Sequence, residues 1–292
     1  MEIQYKLQQE FQLKAAQVEN VIKLIDEGNT IPFIARYRKE MTGSLDDQIL
    51  RSLSERLSYL RNLEEKREQV KNIITEQGNM TEEIAQKLSI AQTMTEIEDI
   101  YRPFRPKRRT RATIAKEKGL EPLADLIWIQ KLSDTLEHMA QPFLDTEKGV
   151  QTIEEAIAGA KDILAERISD NADFRKLLRT EIIKNGFLTA KATDDTKQSV
   201  YEMYYCFQEP IKKVAGHRVL AINRGEKEDF LTVKIIPEEE NKLLQKLEYK
   251  IILPQSNTKQ LLQEVIADSY KRLIAPSLER EIRNDMTEQA EE

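Results

Sequence analysis

The run Tyr101-Arg102-Pro103-Phe104-Arg105-Pro106-Lys107-Arg108-Arg109-Thr110-Arg111 gathers the side chains best suited to grip an oxyanion. Between Tyr101 and Lys118 stand eight Lys or Arg and a single acid, Glu117, in a chain whose net charge is −6. The cations are therefore segregated. Pro103 and Pro106 fix φ and bias the residues before them toward extended backbone, so the first half of the run is expected as a strap rather than a helix. Forked guanidiniums and ammoniums along a strap match phosphate oxygens, and the counterions they displace make such binding salt-dependent. The same cations match carboxylates of the chain's own helices, and 51 Asp and Glu are on offer. A basic run alone does not separate a nucleic-acid contact from an internal clamp, and one does not exclude the other.

Two smaller cationic groups are candidates of the same kind. Arg36, Arg38 and Lys39 surround Tyr37, a combination that serves stacking and phosphate contact. The competing reading docks Phe33, Ile34 and Tyr37 against a long helix and leaves the cations solvated or paired with Asp46 or Asp47. His217, Arg218 and Arg224 form the other group, with Arg224 and Glu226 alternatively ordering a turn at Gly225.

Catalysis finds little to work with. Asp46-Asp47 and Asp194-Asp195 are adjacent acids, which point apart on a helix, and capping is their simpler use. His138 and His217 stand alone, and one cysteine gives no zinc spacing. Cys206 lies in the apolar stretch Tyr204-Tyr205-Cys206-Phe207, where a thiol is expected as a small buried hydrophobe. Neither a phosphate-binding GxxxxGK[ST] loop nor a GxSxG elbow occurs. The expectation is no enzyme, no cofactor, no metal and no small-molecule substrate.

These groups must be held by helices. With 33% charged residues, 6% aromatics, nine glycines and nine prolines, the composition favours long charged helices. Leu13 to Glu27 carries apolar residues at helical steps and stops at Gly28; a short helix follows, with Thr30 as cap and Pro32 early. Ser44, with Asp47 three residues on, is expected to open a helix running to residue 77, about 50 Å at 1.5 Å per residue. Leu45, Ile49, Leu53, Leu57, Leu60, Leu63, Val70 and Ile73 line it, and Arg67 interrupts the stripe. Helices at Thr81–Leu88 and Thr95–Ile100, the latter boxed by Thr95 and Glu98, lead into the strap. Residues 79–140 read as a helix-turn-helix-like unit, a topology that says little about DNA by itself. Thr152 with Glu155 starts another helix, and Asp170 is expected to cap the next, which ends at Lys184-Asn185-Gly186. Leu231–Ile236 and Tyr249–Leu253 are rich in β-formers and are expected as two strands around a helix at 238–247. A final helix begins at Thr258.

Three segments together resemble one family. Ile31 to Leu45 (IPFIARYRKEMTGSL), Ile97 to Leu123 (IEDIYRPFRPKRRTRATIAKEKGLEPL) and His217 to Glu228 (HRVLAINRGEKE) are similar, in order, to the bacterial transcription accessory protein family Tex. The resemblance implies an architecture like the core of a eukaryotic elongation factor and histone chaperone. It also implies continuation into an RNase H-like (YqgF) domain, helix-hairpin-helix elements and an OB-type RNA-binding domain, so the chain is expected to be an amino-terminal fragment.

The expected fold is mainly α: a multi-helix bundle with one long spine helix, a helix-turn-helix-like unit, and a small two-stranded β element in the C-terminal third. Residues 1–190 are expected as the helical domain and 191–292 as a second helical segment. No secretory signal and no apolar run long enough to span a bilayer is seen, so a cytoplasmic protein is expected. The expected partner is RNA or DNA, bound without sequence preference. The alternative is an architectural module that docks the transcription machinery.

Overall fold

The computed structural model describes residues 3–291, which fall into two compact units, one ending at Tyr101 and the other beginning at Arg102.

The first unit is helical: α1 Ile3–Phe11, α2 Ala15–Asp26, α3 Ile31–Tyr37, α4 Lys39–Thr42, α5 Asp47–Glu76, α6 Glu82–Ile90 and α7 Met94–Tyr101. Its axis is α5, 30 residues or about 45 Å long. Leu50, Leu53, Leu57, Leu60, Leu63, Val70 and Ile74 form its buried stripe, with Leu7 of α1, Val18, Val21 and Leu24 of α2 and Ile34 of α3 completing the core. The cap is Asp46, whose carboxylate accepts the Ile49 N–H at 2.8 Å, and not the expected Ser44, which stands in the left-handed region at φ +62°. Where the stripe breaks, Arg67 sends its guanidinium to the carbonyls of Leu88 and Ala91, satisfying acceptors left open at the end of α6. Thr81 caps α6 as expected. The cap of α7 is Thr93, not Thr95: its hydroxyl accepts the Glu96 N–H at 3.1 Å while the Glu96 carboxylate accepts the Gln92 N–H at 2.6 Å. Thr95 already lies inside the helix, because burial of Ile97 on α7 sets where the turn must begin.

Short helices α3 and α4 form a corner fixed from behind. Gln17 Nε2 donates to the Thr42 carbonyl at 3.0 Å, and Asn20 Nδ2 to that of Met41 at 2.8 Å. Gly43 ends the corner at φ +69°, where a Cβ would sit 2.5 Å from Gln17 Nε2. The positive φ favours glycine there, and any Cβ would push the Gln17 amide off the Thr42 carbonyl.

The second unit contains α8 Arg111–Glu117, α9 Glu121–Ile129, α10 Leu136–Ala140, α11 Ile153–Asp170, α12 Ala172–Asn185, β1 Phe187–Ala192, β2 Cys206–Pro210, α13 Gly216–Lys227, β3 Leu231–Ile236, α14 Glu240–Ile251, α15 Lys259–Asp268 and α16 Ala275–Glu291. Thr152 caps α11 as expected, through the Glu155 N–H. Asn171, not Asp170, caps α12 by accepting from Phe174 N–H at 3.0 Å, which leaves the Asp170 carboxylate for another use.

Three antiparallel strands, not two, form the sheet, in the order β2-β1-β3, with Leu188 facing Glu209 on one side and Ile235 on the other. Only β3 matches an expected strand. Tyr249–Ile251 closes α14, whose Leu243, Leu247 and Ile251 are buried at four-residue steps; that helical burial overrides the β-forming character of the segment. Gln130 pins this end, donating to the Ile251 carbonyl at 2.7 Å and accepting the Leu253 N–H at 2.9 Å. The polar stretch Lys191–Gln198 lies inside the unit, running from the last two residues of β1 into the connection to β2. Cys206 opens β2 with its side chain exposed, correcting the expectation of a buried thiol. At the outer side of β3 the Glu279 carboxylate accepts the Ile235 N–H at 3.1 Å.

Between α15 and α16 the backbone widens into a π-helical segment, Ser269–Ile274. Leu262, Ile266, Tyr270, Ile274, Leu278 and Ile282 are buried along the whole run, four residues apart. Ser269 Oγ ties the segment to α11 by donating to the Ala165 carbonyl at 2.6 Å, and burial pushes the Tyr270 phenol up to about 12. Among the described residues no helix is long and apolar enough to cross a membrane.

Candidate functional site

The strap begins as α7 ends. Arg102–Phe104 makes one 3-10 turn, and Arg105 to Thr110 then run without regular structure until Thr110 caps α8, accepting the Thr113 N–H at 3.1 Å. The prolines therefore act as expected on the middle of the run, though its first three residues coil once.

Two of the six strap cations are held by the acids of α11. Lys107 is anchored: its ammonium bonds Asp170 and lies 3.4 Å from Glu166. Arg102 is anchored too, 3.6 Å from Asp170 and donating to Ser277 Oγ at 3.0 Å. Arg105, Arg108, Arg109 and Arg111 are exposed. Arg109 meets Glu117 at 3.0 Å in a pair open to solvent on both sides, which holds it only weakly. Arg111 lies within electrostatic reach of Asp162 and Asp268. Arg105 and Arg108, with Lys107, Arg102 and Thr110, edge an open cleft of about 310 Å³ whose other wall is Glu166, Ser169, Asp170 and Leu273.

What holds the anchored set is a feature the sequence reading missed. Asp162, Glu166 and Asp170 recur every four residues on α11 and so share one face. Arg272 of the π segment takes Asp162 at 3.4 Å; Lys107 and Arg102 take the rest. Burial pushes the Asp170 carboxyl above the usual carboxylate range, against the hydrogen bond and charge of Lys107, and it does the same to Asp162 against Arg272 and Arg111. The ladder continues inward. Arg175, only 1% exposed, donates to the same Ser277 hydroxyl at 3.1 Å and to Glu281 at 3.3 Å, and Arg179 also bonds Glu281. The i, i+4, i+8 acids were visible in the sequence; nothing local paired them with a strap some sixty residues earlier.

The Arg36 group stands elsewhere, on the α3–α4 corner. Ile34 is buried, but Tyr37 is 56% exposed, so the expected docking of that ring does not occur. It packs on Phe33 instead, centroids 5.2 Å apart, with the Arg38 guanidinium 5.2 Å from the Phe33 ring and that of Arg36 6.0 Å from the Tyr37 ring. Asp46 is occupied as a cap and Asp47 pairs with Arg51, so neither neutralises Arg36, Arg38 or Lys39.

The third group does not assemble. No turn forms at Gly225, which is helical within α13 and packed against Leu231 and Tyr201. Glu226 binds Arg283 of α16, and Arg218 pairs with Glu209 of β2 at 2.7 Å. His217 and Arg224 remain exposed, two turns apart. Among the described residues no group of three or more His, Cys, Asp and Glu is placed to hold a metal ion.

Comparison with known proteins adds the lineage of this arrangement. The family model described as Tex central region-like matches residues 132–292, and that described as Tex-like protein N-terminal domain matches residues 1–75. The protein YdcI of Bacillus subtilis is 47% identical over 99% of this chain and 41% of its own length. The transcriptional accessory protein Tex of Neisseria gonorrhoeae is 35% identical over 100% of this chain and 39% of its own. The human S1 RNA-binding domain-containing protein 1 is 29% identical over 93% and 28%. The chain thus spans about two fifths or less of these relatives.

Proposed function

The chain belongs to the Tex family, and we propose that it serves there as a non-catalytic helical scaffold whose strap grips the backbone of RNA or DNA without reading sequence. The observation that carries this reading is the strap itself: Lys107 and Arg102 fasten it to α11, and Arg105, Arg108, Arg109 and Arg111 are exposed along it. A tethered row of exposed guanidiniums loses less freedom on meeting phosphates than a floating one would. The names of two relatives, a transcriptional accessory protein and an S1 RNA-binding domain-containing protein, fit the same partner class.

The test is a titration of the chain with RNA and DNA at two salt concentrations. Replacing Arg105, Arg108, Arg109 and Arg111 together by Gln weakens binding to every sequence and lowers the slope of log K against log salt by about one for each phosphate contact removed. A folded quadruple variant with unchanged affinity and slope removes the strap from the interface. The anchored pair favours a second role for its own members. Arg102→Gln with Lys107→Gln acts first on thermal stability, as expected of an architectural module, because Asp170 and Glu166 lose their partners.

A further inference from the structure

We propose that the α3–α4 corner is a stacking subsite for unpaired nucleobases, with Tyr37 as the platform and Arg36, Arg38 and Lys39 as the flanking phosphate contacts. This rests on the reading that the chain meets nucleic acid, and it adds which form of nucleic acid: single-stranded.

Four observations converge on it. Tyr37 ends a seven-residue helix and is more than half exposed, although Ile34 one turn earlier is fully buried. The ring is backed by Phe33, with the Arg36 guanidinium beside it and that of Arg38 over the backing Phe33 ring, so it is braced for a flat ligand rather than left loose. Among the described residues none of Arg36, Arg38 and Lys39 makes an ion pair, unlike Arg102, Lys107 and Arg109 of the strap. The corner is also rigid, clamped by Gln17 and Asn20 and closed by Gly43.

The physical logic selects the ligand. A base in a duplex has both faces covered by its neighbours, so an aromatic platform is of use only to an unpaired one. Three unneutralised cations within four residues suit the phosphates on either side of that base. A protein partner anchored by tyrosine and arginine is the rival occupant, but three unpaired cations fit a polyanion better.

The experiment measures anisotropy of labelled oligo-dT, oligo-U and a blunt duplex against the wild-type chain, Tyr37→Ala, Tyr37→Phe and the quadruple strap variant. Circular dichroism checks that each is folded. Tyr37→Ala is expected to weaken single-strand binding about tenfold, within the range for one stacked base, and to change duplex binding less than twofold. Tyr37→Phe keeps the platform and should bind like the wild type. If Tyr37→Ala leaves single-strand affinity unchanged while the strap variant weakens all ligands, the subsite is refuted and the strap reading stands. If the strap variant is unchanged while Tyr37→Ala loses single strands, the subsite stands and the strap reading fails. If Tyr37→Ala is unchanged on every oligonucleotide and the strap variant is too, both fall and protein contact is left as the use of the patch.

Discussion

The strap of the second unit and the α3–α4 corner of the first carry the same kinds of cation in opposite company. In the strap, Arg102 and Lys107 meet carboxylates spaced along α11, and their charge is partly answered within the fold. At the corner, Arg36 and Arg38 lie against aromatic rings, and among the described residues no acid pairs with them. Charge density along a sequence therefore does not reveal how much charge is on offer to a partner. Half-buried carboxylates facing the run decide that, and they belong to other elements.

This contrast predicts a graded set of stability effects, each measurable by urea unfolding of the chain. The largest belongs to the network beneath the strap: Glu281→Ala removes a carboxylate shared by Arg175 and Arg179 and should cost about 3 kcal/mol, the usual penalty for breaking a buried pair from one side. Next comes Lys107→Gln, which takes the ammonium away from the largely buried carboxylates of Asp170 and Glu166 and should cost about 1–2 kcal/mol.

Asp170 also gives a signed pH effect. Its folded-state pKa stands above the ordinary 3.8, so ionisation costs the fold more than the unfolded chain. That cost is present above the folded pKa and gone below 3.8. Lowering pH from 7 toward 4 should therefore stabilise the wild type relative to Asp170→Asn. An opposite trend would mean that Lys107 outweighs desolvation. The smallest effect is expected at the corner: Arg36→Gln with Lys39→Gln should shift stability by less than about 0.5 kcal/mol, since among the described residues no acid pairs with either and the Arg36 contact with Tyr37 is exposed. A loss there as large as that of Lys107→Gln would erase the distinction between the two regions.

Much of the fold was legible where one element's own pattern determined it. The spine α5 fell close to its expected limits because its stripe is long and its stop signal, Gly78, is clear. Cap positions slipped by one or two residues, as at Asp46 for Ser44 and Asn171 for Asp170, because several capping residues stand close together and packing chooses among them. The sheet was poorly legible. Phe187–Ala192 and Cys206–Pro210 carry few β-branched residues and become strands through their pairing with each other and with β3. At the candidate sites, the cations were readable and their company was not: Asp170 and Ser277 reach the strap from other elements, and the outward turn of Tyr37 depends on how α3 packs.

The wide turn at Ser269–Ile274 sets the angular phase of everything after it. On an α-helix each residue advances about 100°, so positions four apart creep about 40° per step. Across the five steps from Leu262 to Ile282 that creep would carry the last side chains round to the opposite side of the rod, yet both ends are buried. The π turn, with more residues per revolution, absorbs part of the creep. Excising one residue from it would make the rod more regular and swing Leu278 and Ile282 by about 100°, out of the apolar interior. The irregular turn works as a phase corrector for a sequence written with a period of four.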